Sequence, residues 1–325
     1  MNKLLVISGP TATGKTDLAV ELAKKFDGEL VSGDSCQIYK GMDIGTGKDQ
    51  PEETPIHLID IVTPYQTFSV ADFQKIGLQT IKEIQSRNKL PILVGCSGFY
   101  IDSLINPNYT TFSVKPHKIW RFISRLCSVK TLQKIYKFLD QKGFSELNHS
   151  DINNHHRLTR KIEIKLFQKN IRNLTLDIRP FDLLHLSLTA PLDFLYQRID
   201  SRVQKRIDIG FLDEVKNLLK TYKWSDPGMQ IAAYQCLKPY FENKNSNKIS
   251  PPHQGEMFSE TKQKGFDKKN NEVLKNCLQL WSYAEHSDAR RQSCWFKSRK
   301  NITFFDITQK DFRKKIIKQV SQWYT

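Results

Sequence analysis

The stretch that decides the fold is Leu4-Leu-Val-Ile-Ser-Gly-Pro-Thr-Ala-Thr-Gly-Lys-Thr16, near the start of a 325-residue chain. Leu4–Ser8 is a short apolar run ended by Gly-Pro, which reads as a buried strand. Gly9-Pro-Thr-Ala-Thr-Gly-Lys-Thr16 then has the form G-x-x-x-x-G-K-T, and behind it Leu18, Ala19, Leu22, Ala23 and Phe26 recur at helical spacing. A strand, a Gly-containing loop and a helix in that order form the context in which this pattern cradles phosphate. Gly9 and Gly14 permit turns closed to other residues, and the loop amides and helix N-terminus point at an anion. Gly9, Pro10, Thr11, Ala12, Thr13, Gly14, Lys15 and Thr16 are therefore the candidate diphosphate-binding residues. Lys15 supplies a point charge, and the Thr16 hydroxyl is the candidate Mg²⁺ ligand. The pattern leaves open whether the phosphates belong to ATP, GTP or another diphosphate.

Outward from this loop, strand and helix signals alternate. Glu29–Ser32 reads as a second strand ending at Gly33-Asp34, Ile56–Val62 as a third, and Pro91–Gly95 as another. Ala71–Arg87 is helical, with Phe73, Ile76, Ile81 and Ile84 turned inward. Such alternation predicts an α/β fold: a P-loop NTPase-like parallel sheet flanked by helices. Residues 112–180 change character to Lys/Arg-rich amphipathic stretches (Ile119–Cys127, Thr131–Gln141, His155–Gln168) and predict a helical insertion domain. Leu183–Leu188 returns to strand character, and Pro191–Lys220 is one helix or two joined near Gly210. There Leu195, Ile199 and Val203 mark a buried stripe, while Arg198, Arg202 and Arg206 put three guanidiniums on a second face. Few large apolar residues occur in 241–271, which predicts a flexible polar loop. The expected organisation is a first part of the core in 1–111, the insertion in 112–180, a continued core with a basic helix in 181–240, the loop in 241–271, and a C-terminal helical and strand part of the core in 272–325.

The charge is split. Residues 1–110 hold 10 Lys and Arg against 13 Asp and Glu, whereas 111–325 hold 40 against 21, within a total of +16. A basic surface of that size attracts phosphate backbones and points to a nucleic-acid partner. The composition excludes a disordered or fibrous chain, and no apolar run reaches the ~18 residues of a membrane span. The six cysteines show no C-x-x-C spacing, so reduced thiols and a cytoplasmic location are expected. A motor-type NTPase would add an apolar strand ending in an acidic Mg²⁺ partner. His57-Leu-Ile-Asp60 is a weak version of it, and Pro91–Gly95 runs into Cys96-Ser97 with no carboxylate. That weakens an ATPase or GTPase reading and leaves open a transferase in which the cradle only holds a leaving group. Asp34, at the carboxyl end of the second strand, falls near the cradle, where it acts either as a base or as a helix N-cap.

With these segments in order, the chain resembles the tRNA dimethylallyltransferases, also called tRNA isopentenyltransferases. The resemblance rests on Gly9–Thr16, Asp34-Ser-Cys-Gln-Ile-Tyr39, Gly41-Met-Asp-Ile-Gly-Thr-Gly-Lys48, His57-Leu-Ile-Asp60, Phe68-Ser-Val-Ala-Asp-Phe73, Gly95-Cys-Ser-Gly-Phe-Tyr100, His156-Arg-Leu-Thr-Arg160, the Arg198/Arg202 helix with Gly210 and Glu214, and Arg290-Arg-Gln-Ser-Cys-Trp-Phe296. It implies transfer of a dimethylallyl group from dimethylallyl diphosphate to N6 of the adenine immediately 3′ of the anticodon, with Mg²⁺ as cofactor. The partners it implies are the tRNA anticodon stem-loop and dimethylallyl diphosphate, with no membrane and no obligate protein partner. By the same resemblance Asp34 is the general base, Ser97 and Arg202 complete the catalytic set, and Asp34, Ser35, Cys36, Gln37 and Ser97 contact the target base. Arg121, His156, Arg157, Leu158, Thr159 and Arg160 are its further tRNA contacts. The chain departs from the family pattern at Cys96, where glycine is usual, and at Ala233-Tyr-Gln-Cys236, which lacks the usual cation. No paired Cys/His motif follows Arg299, so the bacterial type without a zinc finger is expected. Two other readings are a small-molecule kinase and a non-catalytic tRNA-binding relic. The kinase accounts for Gly9–Thr16 but not for the basic remainder or Asp34–Gln37.

Overall fold

The computed structural model describes residues 2–48, 54–106, 117–167, 181–246 and 260–324. The chain divides into two units, Met1–Ile105 with Pro180–Thr325, and Asn106–Arg179. The first unit opens with β1 (Lys3–Ser8), α1 (Lys15–Lys25), β2 (Gly28–Ser32), β3 (Ile56–His57), α2 (Val70–Ser86), β4 (Leu90–Gly95) and α3 (Gly98–Ile105). The second unit holds α4 (Lys118–Leu126), α5 (Val129–Leu139), α6 (Gln141–Ser145), α7 (His149–Ile152) and α8 (His155–Phe167). The first unit resumes with β5 (Asp182–Thr189), α9 (Leu192–Asp208), α10 (Phe211–Leu218), α11 (Ala232–Gln235), α12 (Lys238–Ser246), α13 (Glu260–Lys297), β6 (Thr303–Asp306) and α14 (Phe312–Tyr324).

The six strands form one sheet in the order β3-β2-β4-β1-β5-β6, and every pairing is parallel. Alternate residues of each strand feed opposite faces, as a period of two requires. Leu4, Val6, Val31 and Leu93 join the core under α2, α3, α9, α10 and α13. Leu5, Ile7, Leu30, Ile92 and Val94 join the other, under α1 and α14. Burial on both faces explains why these strands read as continuous apolar runs. Because all strands point the same way, the loops after β1, β2 and β4 gather at one end of the sheet, where ligands of such sheets bind.

Helix starts follow local chemistry. Ser69 and Asp72 form a reciprocal capping box at the start of α2, which satisfies two otherwise unpaired backbone donors. Gly210, at φ 102°, separates α9 from α10, so Pro191–Lys220 is two helices. The second unit has its own small core of Trp120, Leu132, Tyr136, Leu158 and Ile162.

Two expectations are corrected. The strand expected over Ile56–Val62 covers only Ile56–His57, because Leu58 and Asp60 take positive φ values of 66° and 55°, outside strand geometry. The flexible loop expected over 241–271 is helical in 241–246 and 260–271, and its middle, 247–259, lies outside the described residues. The Lys, Glu and Gln of that segment are strong helix formers even where no apolar face marks a helix. Among the described residues, no helix is long and apolar enough to cross a membrane.

Candidate active site

The Gly9–Thr16 loop links β1 to α1. Gly9 sits at φ 139° and lies so close to the Leu188 carbonyl that a Cβ there would press into it, so only glycine lets β5 pack beside the loop. Ala12 takes φ 64°, an unusual value for a residue with a side chain and a mark of a loop held by its surroundings. Those surroundings are specific. The Thr11 amide donates to Gln292 Oε1 at 2.8 Å, Arg198 Nε donates to the Ala12 carbonyl at 2.8 Å, and Thr13 Oγ1 donates to the Pro10 carbonyl at 2.8 Å. Lys15 Nζ donates to the same Pro10 carbonyl at 2.7 Å. Burial lowers the Lys15 ammonium below the ordinary lysine range, and Arg202 acts in the same direction. The nearby Asp34 carboxylate opposes this.

The three arginines of α9 differ in role. Arg198 is exposed, Arg206 is buried, and Arg202 lies between them. Arg202 Nη2 donates to Thr11 Oγ1 at 2.6 Å and to Glu285 Oε2. Arg206 Nη1 donates to Glu285 Oε1 at 2.9 Å and to the Gly45 carbonyl at 3.2 Å. Trp281 Nε1 also donates to Glu285, at 3.0 Å. Burial alone would raise the Glu285 carboxyl, but Arg202 and Arg206 outweigh it and hold it below the usual carboxylate range. Arg202 thus reaches the loop from a buried anchor, and its Nε is buried without a hydrogen-bond partner.

The third component lies after β2 and β4. A Cβ on Gly95 would collide with the Gly33 backbone, so the two strand ends touch directly. The Ser97 amide donates to the Gly33 carbonyl at 3.2 Å, and the Ser35 amide donates to Ser97 Oγ at 2.9 Å. Across this joint the Asp34 carboxylate is held on both oxygens. The Cys36 amide donates to Oδ1 at 2.9 Å, and the Cys96 thiol donates to Oδ2 at 3.1 Å. Gln37 is fixed by Ser32 Oγ, which donates to its Oε1 at 2.8 Å, and by its own Nε2, which donates to the Gly47 carbonyl at 3.2 Å.

The Gly41–Lys48 segment is pinned beside this joint. Glu214 accepts from the amides of Asp43, Ile44 and Gly45 at 2.8, 2.7 and 3.0 Å, and from the Tyr234 hydroxyl at 2.7 Å. Lys48 Nζ reaches Asp43 at 2.7 Å and Asp60 at 2.6 Å, so Asp60 is engaged in an ion pair. Among the described residues, no group of three or more His, Cys, Asp or Glu is arranged to hold a metal ion.

The first unit therefore brings together the Gly9–Thr16 loop, Asp34 to Gln37, Ser97 and Arg202. The remaining residues expected to touch RNA lie in the second unit. His156 and Arg157 are exposed. Arg121 Nε and Arg160 Nη1 donate to the buried Glu163 at 3.2 and 2.6 Å. Leu158 and Thr159 are buried, and Leu158 belongs to that unit's core. The sequence did not reveal Glu285 between Arg202 and Arg206, nor the Cys96 thiol on Asp34. The i+4 arginine repeat was the available signal for Glu285, since buried guanidiniums demand an anion.

Comparison with known proteins follows the same lines. The IPP transferase family model matches residues 37–299, and the isopentenyl transferase model matches residues 2–59. A tRNA dimethylallyltransferase of Halalkalibacterium halodurans is 33% identical over 97% of this chain and 94% of its own length. That of Lactococcus lactis is 34% identical over 99% and 98%. The solved tRNA isopentenylpyrophosphate transferase of Bacillus halodurans superimposes with a TM-score of 0.66 at 31% identity, covering 99% of this chain and 95% of the other. A eukaryotic dimethylallyltransferase acting on tRNA shares the fold, with a TM-score of 0.77 at 23% identity over all of this chain and 79% of the other.

Proposed function

Because the chain belongs to the tRNA dimethylallyltransferase (IPP transferase) family, we propose that it transfers a dimethylallyl group from dimethylallyl diphosphate to N6 of the adenine immediately 3′ of the anticodon. Diphosphate leaves and isopentenyladenosine remains in the tRNA. The observation that carries this reading is the convergence, at one end of the sheet, of the phosphate cradle, the Arg202 guanidinium on Thr11, and the doubly held Asp34 carboxylate.

The chemistry assigns roles to each. The adenine nitrogen attacks the allylic carbon, the carbon–oxygen bond breaks, and its electron pair stays on the diphosphate. Asp34 takes the proton released from N6, which a neutral exocyclic amine must lose to become a good nucleophile. Negative charge builds on the leaving diphosphate, so Lys15, the amides of Thr13 to Thr16 and Arg202 stabilise the transition state more than the bound substrate. The Thr16 hydroxyl, in the first turn of α1, would hold Mg²⁺ together with oxygens of the diphosphate and water, the hard ligands this ion prefers. Bound there, it would supply Lewis-acid stabilisation of the diphosphate. Ser97 and the Ser35–Gln37 segment position the adenine, which leaves its stack to reach them. Arg121, His156, Arg157 and Arg160 contribute to a basic surface for the anticodon stem-loop, and the cytoplasm is the compartment where such tRNA is met.

The kinase reading leaves the doubly held Asp34 and the basic second unit unexplained and is not favoured. The experiment is single-turnover transfer to unmodified tRNA with dimethylallyl diphosphate, read by nucleoside mass spectrometry. Asp34→Asn should slow it by ~10²–10⁴-fold, the usual contribution of a general base. Asparagine preserves a cap as well as aspartate does, so a near-normal rate would return Asp34 to a structural role.

A further inference from the structure

We propose that Cys96 is a positioning residue for the reaction: its thiol donates a hydrogen bond that holds and tunes the carboxylate of Asp34. The inference rests on the reading of Asp34 as general base. Its support is geometric. Cys96 Sγ lies 3.1 Å from Asp34 Oδ2, a short contact for a sulfur donor, while Oδ1 is taken by the Cys36 amide at 2.9 Å. With both oxygens engaged, the carboxylate cannot rotate freely, and the remaining lone pairs face whatever enters the site.

The backbone makes this placement deliberate. Cys96 sits between Gly95, whose lack of a side chain lets β4 touch Gly33, and Ser97, whose amide donates to the Gly33 carbonyl. The joint is closed a second time by the Ser35 amide on Ser97 Oγ. A side chain at position 96 is thereby carried to the carboxylate, and its length decides whether a donor arrives there. The thiol stays protonated and able to donate, because burial and then the Asp34 charge push it well above the ordinary thiol range.

The charged and titratable groups around the pair come from several elements. Lys15 acts from the phosphate loop, Cys36 from the segment after β2, and Asp288 from α13. Tyr100, on α3, is also within reach of the Asp34 field. A donor to an ionised carboxylate favours the charged form. Loss of the thiol should therefore leave Oδ2 of the charged carboxylate without its donor and slow the transfer.

The test is single-turnover transfer at saturating tRNA for wild type, Cys96→Ala and Cys96→Ser, with Asp34→Asn and the double variant Asp34→Asn/Cys96→Ala alongside. Cys96→Ala should slow the rate by roughly five- to tenfold, the loss of one hydrogen bond from a weak thiol donor. The tRNA dissociation constant should be unchanged. Cys96→Ser retains a donor and should restore the rate. In the double variant, removal of the thiol should add nothing to the loss from Asp34→Asn, since the two act as one unit. If Cys96→Ala does not fold, Cys96→Gly replaces it as the donor-free variant. A donor-free variant with the wild-type rate, or a serine variant as impaired as alanine, overturns the proposal. Should that happen while Asp34→Asn remains slow, the base assignment stands and this inference alone falls. A near-normal Asp34→Asn rate would instead sink the base reading.

Discussion

In the second unit Glu163 accepts from Arg121 and Arg160; in the first, Glu285 accepts from Arg202 and Arg206. Each glutamate is removed from solvent or nearly so, and each has its carboxyl held below the usual range against the opposing pull of burial. The difference lies in what each triad joins. Arg121 and Arg160 are partly exposed, and the His117 amide completes the Glu163 shell, so that triad ties α4 to α8. Arg202 and Arg206 turn from Glu285 to Thr11 and to the Gly45 carbonyl, both in loops at the catalytic end of the sheet. A carboxylate between two guanidiniums thus joins two helices in one unit, and in the other it holds arginines that reach the phosphate loop and the Gly41–Lys48 segment.

Crossed substitutions should break this comparison most sharply. Glu285→Gln leaves two adjacent arginines without their shared charge, and Arg202 loses the anchor that aims it at Thr11. A shift of an ångström at a catalytic group costs up to about 10²-fold, so we expect a rate loss of that order at saturating tRNA. Glu163→Gln should leave that rate unchanged and instead destabilise the second unit by about 3 kcal/mol, the lower end for breaking a buried pair because its arginines are partly exposed. Single-turnover rates and thermal melts of both variants check this. Equal rate losses would show that the two triads do the same work.

Acid should separate the units next. His185, on β5, is buried with its ring nitrogen 2.9 Å from Ser8 Oγ, and burial lowers it to about 4. In the unfolded chain it would titrate near ~6.5. The unfolded state therefore binds the proton first as pH falls, so the stabilising effect of the neutral imidazole is complete above ~6.5 and declines down to about 4. The difference corresponds to about 3 kcal/mol. The Glu163 contribution follows a lower window: it is complete above ~4.3 and is lost only as pH falls through the depressed value of the folded state. Denaturant titrations from pH 7 to 4 should show the first unit weakening while the second holds, and His185→Gln should flatten the first unit's decline. An unchanged slope in that variant would assign the acid sensitivity elsewhere.

The contrast also explains what could be read from the sequence. The cradle was legible because strand, loop and helix are contiguous between Leu4 and Phe26, and because the pattern of two glycines, lysine and threonine has few other uses. The sheet was legible for the same reason: strands buried on both faces announce themselves as apolar runs. Glu285 and Cys96 were not, because their partners lie 83 and 62 positions away in the chain. Periodicity carries no information at that range. The burial of Leu158 and Thr159 follows from their place in a short basic motif on an amphipathic helix, which includes positions that face inward. The truncated third strand was hidden in backbone φ values at Leu58 and Asp60, positions with no glycine to reveal them.

The smallest expected effect concerns binding alone. Residues 106–179 carry 15 Lys and Arg against 5 Asp and Glu, so a unit of 74 residues holds +10 of the total +16. On α5, Lys130, Lys134 and Lys137 are exposed at spacings that place them on one face. If that face meets the tRNA backbone, each contact contributes about −0.9 to the slope of log K against log salt on a duplex, or about −0.7 on a single strand. Replacing all three with glutamine should reduce the slope by about 2 on a single strand and up to about 2.7 on a duplex, while leaving turnover at saturating tRNA unchanged. Lys15→Ala should do the reverse, removing most turnover with the salt slope nearly intact, because its ammonium is turned to the phosphate loop. Filter binding across a salt series measures both. A triple variant with the wild-type slope would remove α5 from the RNA surface, and a Lys15→Ala slope that fell as far would show that the cradle and the basic surface are not separable functions.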